Sequence, residues 1–196
     1  MKKIVYYFLG LFCFMMITSC VHQQNYIAQA ELTDRELNIL DNTADKYFIF
    51  DFFIGEDYDE VELKMEKFSF GTLQEELVDH SIIPIEKDGM IVFSTSKTRR
   101  DDPIFNITAH SQDKIGGATT FQTFDEELSS MSSRWDSNPL LEQQFKDEGI
   151  LLSICYTSTD PTMGERLPDK FYKKSQINID LIKEFDVVFI LKYKFQ

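Results

Sequence analysis

What this chain lacks narrows its chemistry first. It carries no G-x-S-x-G elbow, no H-E-x-x-H helix and no glycine-rich phosphate loop, so three common catalytic or nucleotide-binding signatures are absent. Neither His80 nor His110 has a His, Cys or Glu at metal-ligand spacing, and a zinc site needs at least three protein ligands. Positive charge is also short: 20 Lys and Arg stand against 33 Asp and Glu, a net charge of −13. No basic cluster is larger than Lys97-Thr98-Arg99-Arg100. A surface of this sign repels phosphate backbones, which excludes nucleic acid as the expected partner. Residues 32–196 contain no internal repeat and no low-complexity stretch, so a solenoid or linker-rich architecture is not expected.

A long uncharged apolar run stands at the start of the chain. Lys2 and Lys3 precede an uncharged stretch, residues 4–17, rich in Phe, Leu, Ile and Met. Its 14 residues reach only about 21 Å as a helix, short of the roughly 30 Å hydrocarbon core of a bilayer. A charged start, a short apolar run and small residues at its end are the layout of a secretory leader. The end reads Ile17-Thr18-Ser19-Cys20, which resembles the lipobox of bacterial lipoproteins. The resemblance covers residues 1–20 alone, and no motif in 21–196 points to a named family. It implies cleavage after Ser19, a lipid on Cys20 and anchoring to a bacterial membrane, outer or cytoplasmic. Two or three acyl chains, at about 0.8 kcal/mol per CH₂, would hold permanently. Residues 20–31 then read as lipidated cysteine and polar tether, and residues 32–196 as one envelope domain.

Loss of residues 1–19 leaves 177 residues, enough for one well-packed domain. It removes two lysines and no acid, so the net charge moves from −13 to −15. That sign argues against electrostatic adhesion to anionic lipid and leaves anchoring to the acyl chains. Of three cysteines, Cys13 departs with the leader and Cys20 is acylated. Cys155 remains alone, without an intramolecular disulfide partner, in an apolar run that predicts a buried, inert thiol.

Thr33-Asp34-Arg35-Glu36 forms a capping box, and Leu37, Leu40 and Ala44 share a helical face, predicting a helix over 34–43. Strands follow. Residues 47–54 are an aromatic run with Phe48, Phe50, Phe52 and Ile54 on one face, and Val61, Leu63 and Met65, like Phe105, Ile107 and Ala109, alternate with polar positions. Gly55–Asp59 and Asp88-Gly89 have hairpin lengths and composition, and Gly116-Gly117 reads as a turn. Pro84 assigns residues 82–86 to an edge. Leu128, Met131 and Trp135 have helical spacing, and Asn138-Pro139 reads as the start of a second helix ending near Gly149. Residues 187–191 are apolar on both faces, the mark of a central strand. These patterns predict a mainly β, antiparallel sandwich-like domain with two or three short helices, with an α+β layer fold as the alternative.

Three constellations could carry function. Glu56, Asp57, Asp59 and Glu60 gather carboxylates that calcium could use, although the D-x-[DN]-x-[DN]-G order is missing. Trp135, flanked by Ser, Arg, Asp and Asn, could stack on a sugar, although core packing explains a lone tryptophan equally. The 33 acids offer too many pairs to rank for glycoside hydrolysis. The expectation is a lipid-anchored envelope protein without a catalytic residue, binding a glycan or an envelope protein. A hydrolase of envelope or extracellular polymers is the alternative.

Overall fold

Alternating apolar residues build most of the strands and place one face of each in a shared core. The computed structural model describes residues 24–55, 57–97, 103–121, 130–143, 145–158 and 166–196. Ile17, Thr18, Ser19, Cys20, Glu56 and Leu128 lie outside the described residues. Among the described residues ten strands run β1 (Tyr26–Gln29), β2 (Lys46–Phe53), β3 (Glu60–Ser69), β4 (Thr72–Pro84), β5 (Asp88–Lys97), β6 (Pro103–Ser111), β7 (Lys114–Phe121), β8 (Ser132–Ser137), β9 (Glu148–Thr157) and β10 (Val187–Phe195). They form two five-stranded sheets, here sheet A in the order β1-β2-β5-β6-β7 and sheet B in the order β4-β3-β10-β9-β8. Every strand pairing among the described residues is antiparallel. The architecture is the expected β-sandwich-like one.

The inner faces meet through aromatic rings. Phe105 of sheet A lies 5.4 Å from Phe189 of sheet B, and Phe52 lies 5.3 Å from Phe195, spacings at which ring pairs add to simple burial. Phe50, Phe52, Phe93, Phe105 and Ile107 from one side and Leu63, Met65, Ile154, Phe189 and Leu191 from the other are at most 1% exposed. The rims of the sandwich are tied as well. Ser137 Oγ on β8 donates to Gln29 Oε1 on β1 at 2.8 Å. At the other rim the Glu86 amide donates to Ser111 Oγ at 2.7 Å, and Lys114 Nζ donates to the Ile85 carbonyl at 3.1 Å.

Helix α1 (Asp34–Thr43) starts on the expected capping box: the Glu36 amide donates to Thr33 Oγ1 at 3.4 Å and the Thr33 amide donates to Glu36 Oε2 at 2.8 Å. None of its residues is buried, so it rests on sheet A without entering the core. Sheet B has a true cover. Helix α2 (Asp169–Tyr172) and a 3-10 turn (Ile179–Leu181) lie over it, and Phe171, Tyr172, Leu167 and Ile182 form a second apolar cluster with Phe68, Ile150, Cys155, Val188 and Ile190. Strand β10 is therefore apolar on both faces over its first half, as a central strand should be.

Several sequence expectations are corrected. Gly55–Asp59 is no hairpin: β2 belongs to sheet A and β3 to sheet B, so the loop crosses between sheets. Asp88-Gly89 lies inside β5 rather than in a turn. A Cβ on Gly89 would sit 2.2 Å from the His110 carbonyl oxygen and 2.7 Å from the Phe52 ring. Gly116 and Gly117 lie inside β7, where a Cβ on Gly117 would meet the Ile107 carbonyl at 2.3 Å. These glycines permit close backbone approach, which a strand can require as much as a turn does. The two-residue turns are elsewhere. Phe70-Gly71, with φ of 46° and 76°, joins β3 to β4, and Gln112-Asp113, with φ of 47° at Gln112, joins β6 to β7. The positive φ angles match the right-handed twist of the strands they join. The helical reading around Trp135 also fails, because residues 132–137 pair with β9 as a strand. Residues 139–143 make turns rather than a helix, held by Asn138, whose Oδ1 accepts from the Leu140 amide at 2.9 Å.

Candidate functional site

The outer face of sheet B changes character where its cover ends. Towards the start of β10, Val188 and Ile190 lie beneath α2, but Lys192 and Lys194 continue the same face into the open. Strand register brings Lys192 opposite Lys64 of β3, and Lys194 lies level with Glu62 of β3 and Glu148 of β9. Like charges directly opposite each other destabilise a strand pair unless something lies between them. Here Glu66 does: its carboxylate takes Lys64 Nζ at 3.3 Å and Lys192 Nζ at 3.4 Å, with only 6% of the residue exposed. Glu76 holds Lys64 from the other side at 2.6 Å, and these contacts hold the Lys64 ammonium above its usual range, the Glu76 bond being the largest cause.

Two adjoining clefts follow, of about 360 and 460 Å³, sharing Glu148, Gly149, Ser175 and Tyr193. Together they form a groove at the edge of the cover. Strands supply Lys64, Lys192 and Lys194, the turn before β9 supplies Lys146, and the segment after α2 supplies Lys173, Lys174, Ser175 and Gln176. Among the described residues six lysines face two glutamates, Glu62 and Glu148, in a chain whose acids outnumber its bases by 13. Tyr172 and Tyr193 line the wall, both nearly buried, and burial holds both phenols well above their usual range. Their hydroxyls are engaged: Tyr172 with Ser153 Oγ at 2.7 Å, and Tyr193 donating to the Lys146 carbonyl at 3.3 Å. Lys146 Nζ reaches back to the Lys173 carbonyl, which tethers the cover to the turn. No hydrogen bond or ion pair to the side chains of Lys173, Lys174 or Lys194 is found among the described residues.

The residues singled out from sequence lie away from this groove. Asp57 and Asp59 are exposed on the crossover, Glu60 begins β3, and Glu56 is outside the described residues. No three His, Cys, Asp or Glu side chains among the described residues are placed to hold a metal. Trp135 is half-buried at the rim, its ring 6.3 Å from Phe93 and 6.4 Å from Phe105, and its Nε1 donates to Ser133 Oγ at 3.2 Å. Cys155 is buried under the cover, and burial, with the Asp136 charge as a smaller cause, pushes its thiol up to about 12. His110 is on the outer face of sheet A, where its Nε2 meets Thr108 Oγ1 at 3.0 Å, whereas Cys155 lies on sheet B. Ser94-Thr95-Ser96-Lys97 has the S-x-x-K spacing, but it lies on β5, where positions three apart belong to opposite faces.

A second hollow, of about 260 Å³, lies between α1 and sheet A. Ile39, Leu40, Ile49 and Met90 line it with Glu36 and Asp51. Burial, and then the Glu36 charge, raise the Asp51 carboxyl above its usual range. The lysine groove was not legible in the sequence. Its lysines come from β3, β9's approach, the cover and β10, and no local run joins them. The alternation of Lys192 and Lys194 with Tyr193 and Phe195 was the one available sign.

No helix among the described residues is long and apolar enough to cross a membrane. No curated protein and no solved structure matches the chain. A family model does: the YgaN domain aligns with residues 26–195, from the first residue of β1 to the last of β10, so its bounds coincide with the sandwich. The chain therefore belongs to the YgaN domain family.

Proposed function

We propose that this protein is a lipid-anchored, non-catalytic binding module of the bacterial envelope, and that it holds its ligand in the groove on sheet B. The observation that carries the binding half is the gathering of six lysines in one groove of an otherwise acidic domain. Random placement on this surface would scatter lysines among acids. The anchoring half rests on residues 1–20, where charge, apolar length and the Ile17-Thr18-Ser19-Cys20 ending agree. With β1 starting at Tyr26, only a few residues separate Cys20 from the sandwich, which would keep the domain close to its membrane. The non-catalytic reading is supported by Cys155, the one cysteine left to the domain, whose thiol is buried and stays protonated near neutral pH.

Metabolic labelling of the full chain with an alkyne fatty acid tests the anchor. Label should enter the wild type and be absent from Cys20→Ser, which should also accumulate with its leader uncleaved. Label retained in Cys20→Ser would remove the lipoprotein reading. Blocking the groove with Gln176→Trp tests the binding half. Crosslinking in intact cells should lose its adducts in that variant while the melting temperature holds.

A further inference from the structure

We infer that the ligand of the sheet B groove is a carboxylate-bearing glycan chain; this deepens the reading of the groove as a binding surface and rests on it. The first ground is charge. Lys64 and Lys192 are compensated by Glu66 and Glu76, whereas Lys173, Lys174 and Lys194 have no such partner among the described residues. At physiological salt the screening length is about 8 Å, so the acids elsewhere on the domain do little to cancel this local field. The second ground is the kind of cation. Among the described residues the groove is lined by lysines and no arginine. Ammonium groups are point charges without the planar fork that reads one carboxylate or phosphate in a fixed orientation. Spread along a groove, they suit repeated negative charge on a chain.

Three features favour a glycan over other polyanions. Tyr172 and Tyr193 are 3% and 5% exposed, so neither offers a ring face on which a nucleic acid base could stack. The groove lies over β10, whose backbone is paired on both sides by β3 and β9, so an acidic peptide finds no free strand edge to extend. Gln143 and Gln176 line the two clefts, and both are exposed with side-chain amides that have no hydrogen-bond partner among the described residues, which suits sugar hydroxyls between the charged groups.

The test is calorimetric titration of the protein as purified from its native membrane in neutral detergent. The probes are a galacturonate decasaccharide, its fully methyl-esterified form, a thymidylate oligonucleotide and an oligoglutamate of matched charge. The carboxylated sugar should bind at least tenfold more tightly than its ester, and at least tenfold more tightly than the other polyanions. Its affinity should fall as salt rises. The K173E/K174E/K194E variant should lose at least a further tenfold at unchanged melting temperature, and the glutamine versions should lose less. Should the glutamate variant unfold, the glutamine variants carry the test alone. Equal binding of the ester, unblocked by added salt, would overturn the anionic inference and leave the groove reading intact if Gln176→Trp still abolished it. Tighter binding of the oligonucleotide or oligoglutamate would overturn the glycan assignment. Binding that no groove variant disturbs, or no binding at all, would overturn both.

Discussion

The two sheets are built from similar inward faces but differ outward. On sheet A the outward rows that span β5, β6 and β7, such as Met90–His110–Ile115, Val92–Thr108–Gly117 and Ser94–Asn106–Thr119, carry no Asp, Glu, Lys or Arg, while Asp51 of β2 and Asp88 at the start of β5 lie on the same face. Among the described residues only α1 rests on this sheet, and it buries no residue. On sheet B the outward face is divided between an apolar half sealed by residues 166–186 and a charged half left open as the lysine groove. The difference shows where a second layer is needed. A strand apolar on both faces must be covered, and the cover's edge creates concavity. A strand with one polar face can be left flat. The groove is thus a consequence of the apolar half of β10.

The largest expected effect breaks sheet B from within. Cys155, Tyr156, Tyr172 and Tyr193 all belong to this sheet or its cover, and burial raises all four. A raised thiol contributes stability that is full below its unfolded value of 9.0 and is lost as pH climbs towards about 12. The three phenols act in the same direction at higher pH. Chemical denaturation at stepped pH should show stability falling from about pH 9 upward, and hydrogen exchange should report opening in sheet B before sheet A. Uniform loss in both sheets would erase the distinction.

Next comes the cover. Phe171→Ala should cost about 3–5 kcal/mol by leaving a cavity under α2, measured by urea unfolding. Ile39→Ala, at a position of α1 that stays 53% exposed although it lines the hollow above sheet A, should cost under about 0.5 kcal/mol by the same measurement, as surface changes usually do. A comparable loss at both positions would mean that α1 is as much a structural layer as α2. Removing the cap of α1 with Thr33→Ala should cost about 1 kcal/mol, visible as local helix fraying more than as global unfolding. Asp51→Asn should give the smallest change and the opposite sign. The carboxyl is raised, so its ionised form is disfavoured in the fold, and neutralising it should slightly raise the melting temperature at pH 7. At pH 3 the two proteins should melt together.

Much of the fold was written in local pattern. Phe50, Phe52, Phe105 and Ile107 announce inward faces by alternation alone, Thr33 and Glu36 announce a helix start, and Pro84 marks the end of an edge strand. The misread elements share a cause. Asp88-Gly89 and Gly116-Gly117 carry turn composition, yet their glycines answer neighbours distant in sequence, the His110 and Ile107 carbonyls. Trp135 has helical spacing from Met131, but pairing with Ile154 makes it a strand residue.

By itself the sequence determined which residues face inward, that the domain would be mainly antiparallel β, that Cys155 would be sheltered, and that α1 would begin at its cap. These depend on contacts within a few residues, where period and composition are decisive. Only the tertiary structure decided that β2 and β3 part into different sheets, that residues 166–186 cover half of sheet B, and that Lys64, Lys146, Lys173, Lys174, Lys192 and Lys194 meet in one groove. Those outcomes depend on which strands pair across more than a hundred residues. That choice is set by burying the largest apolar surface at once, and no short segment records it.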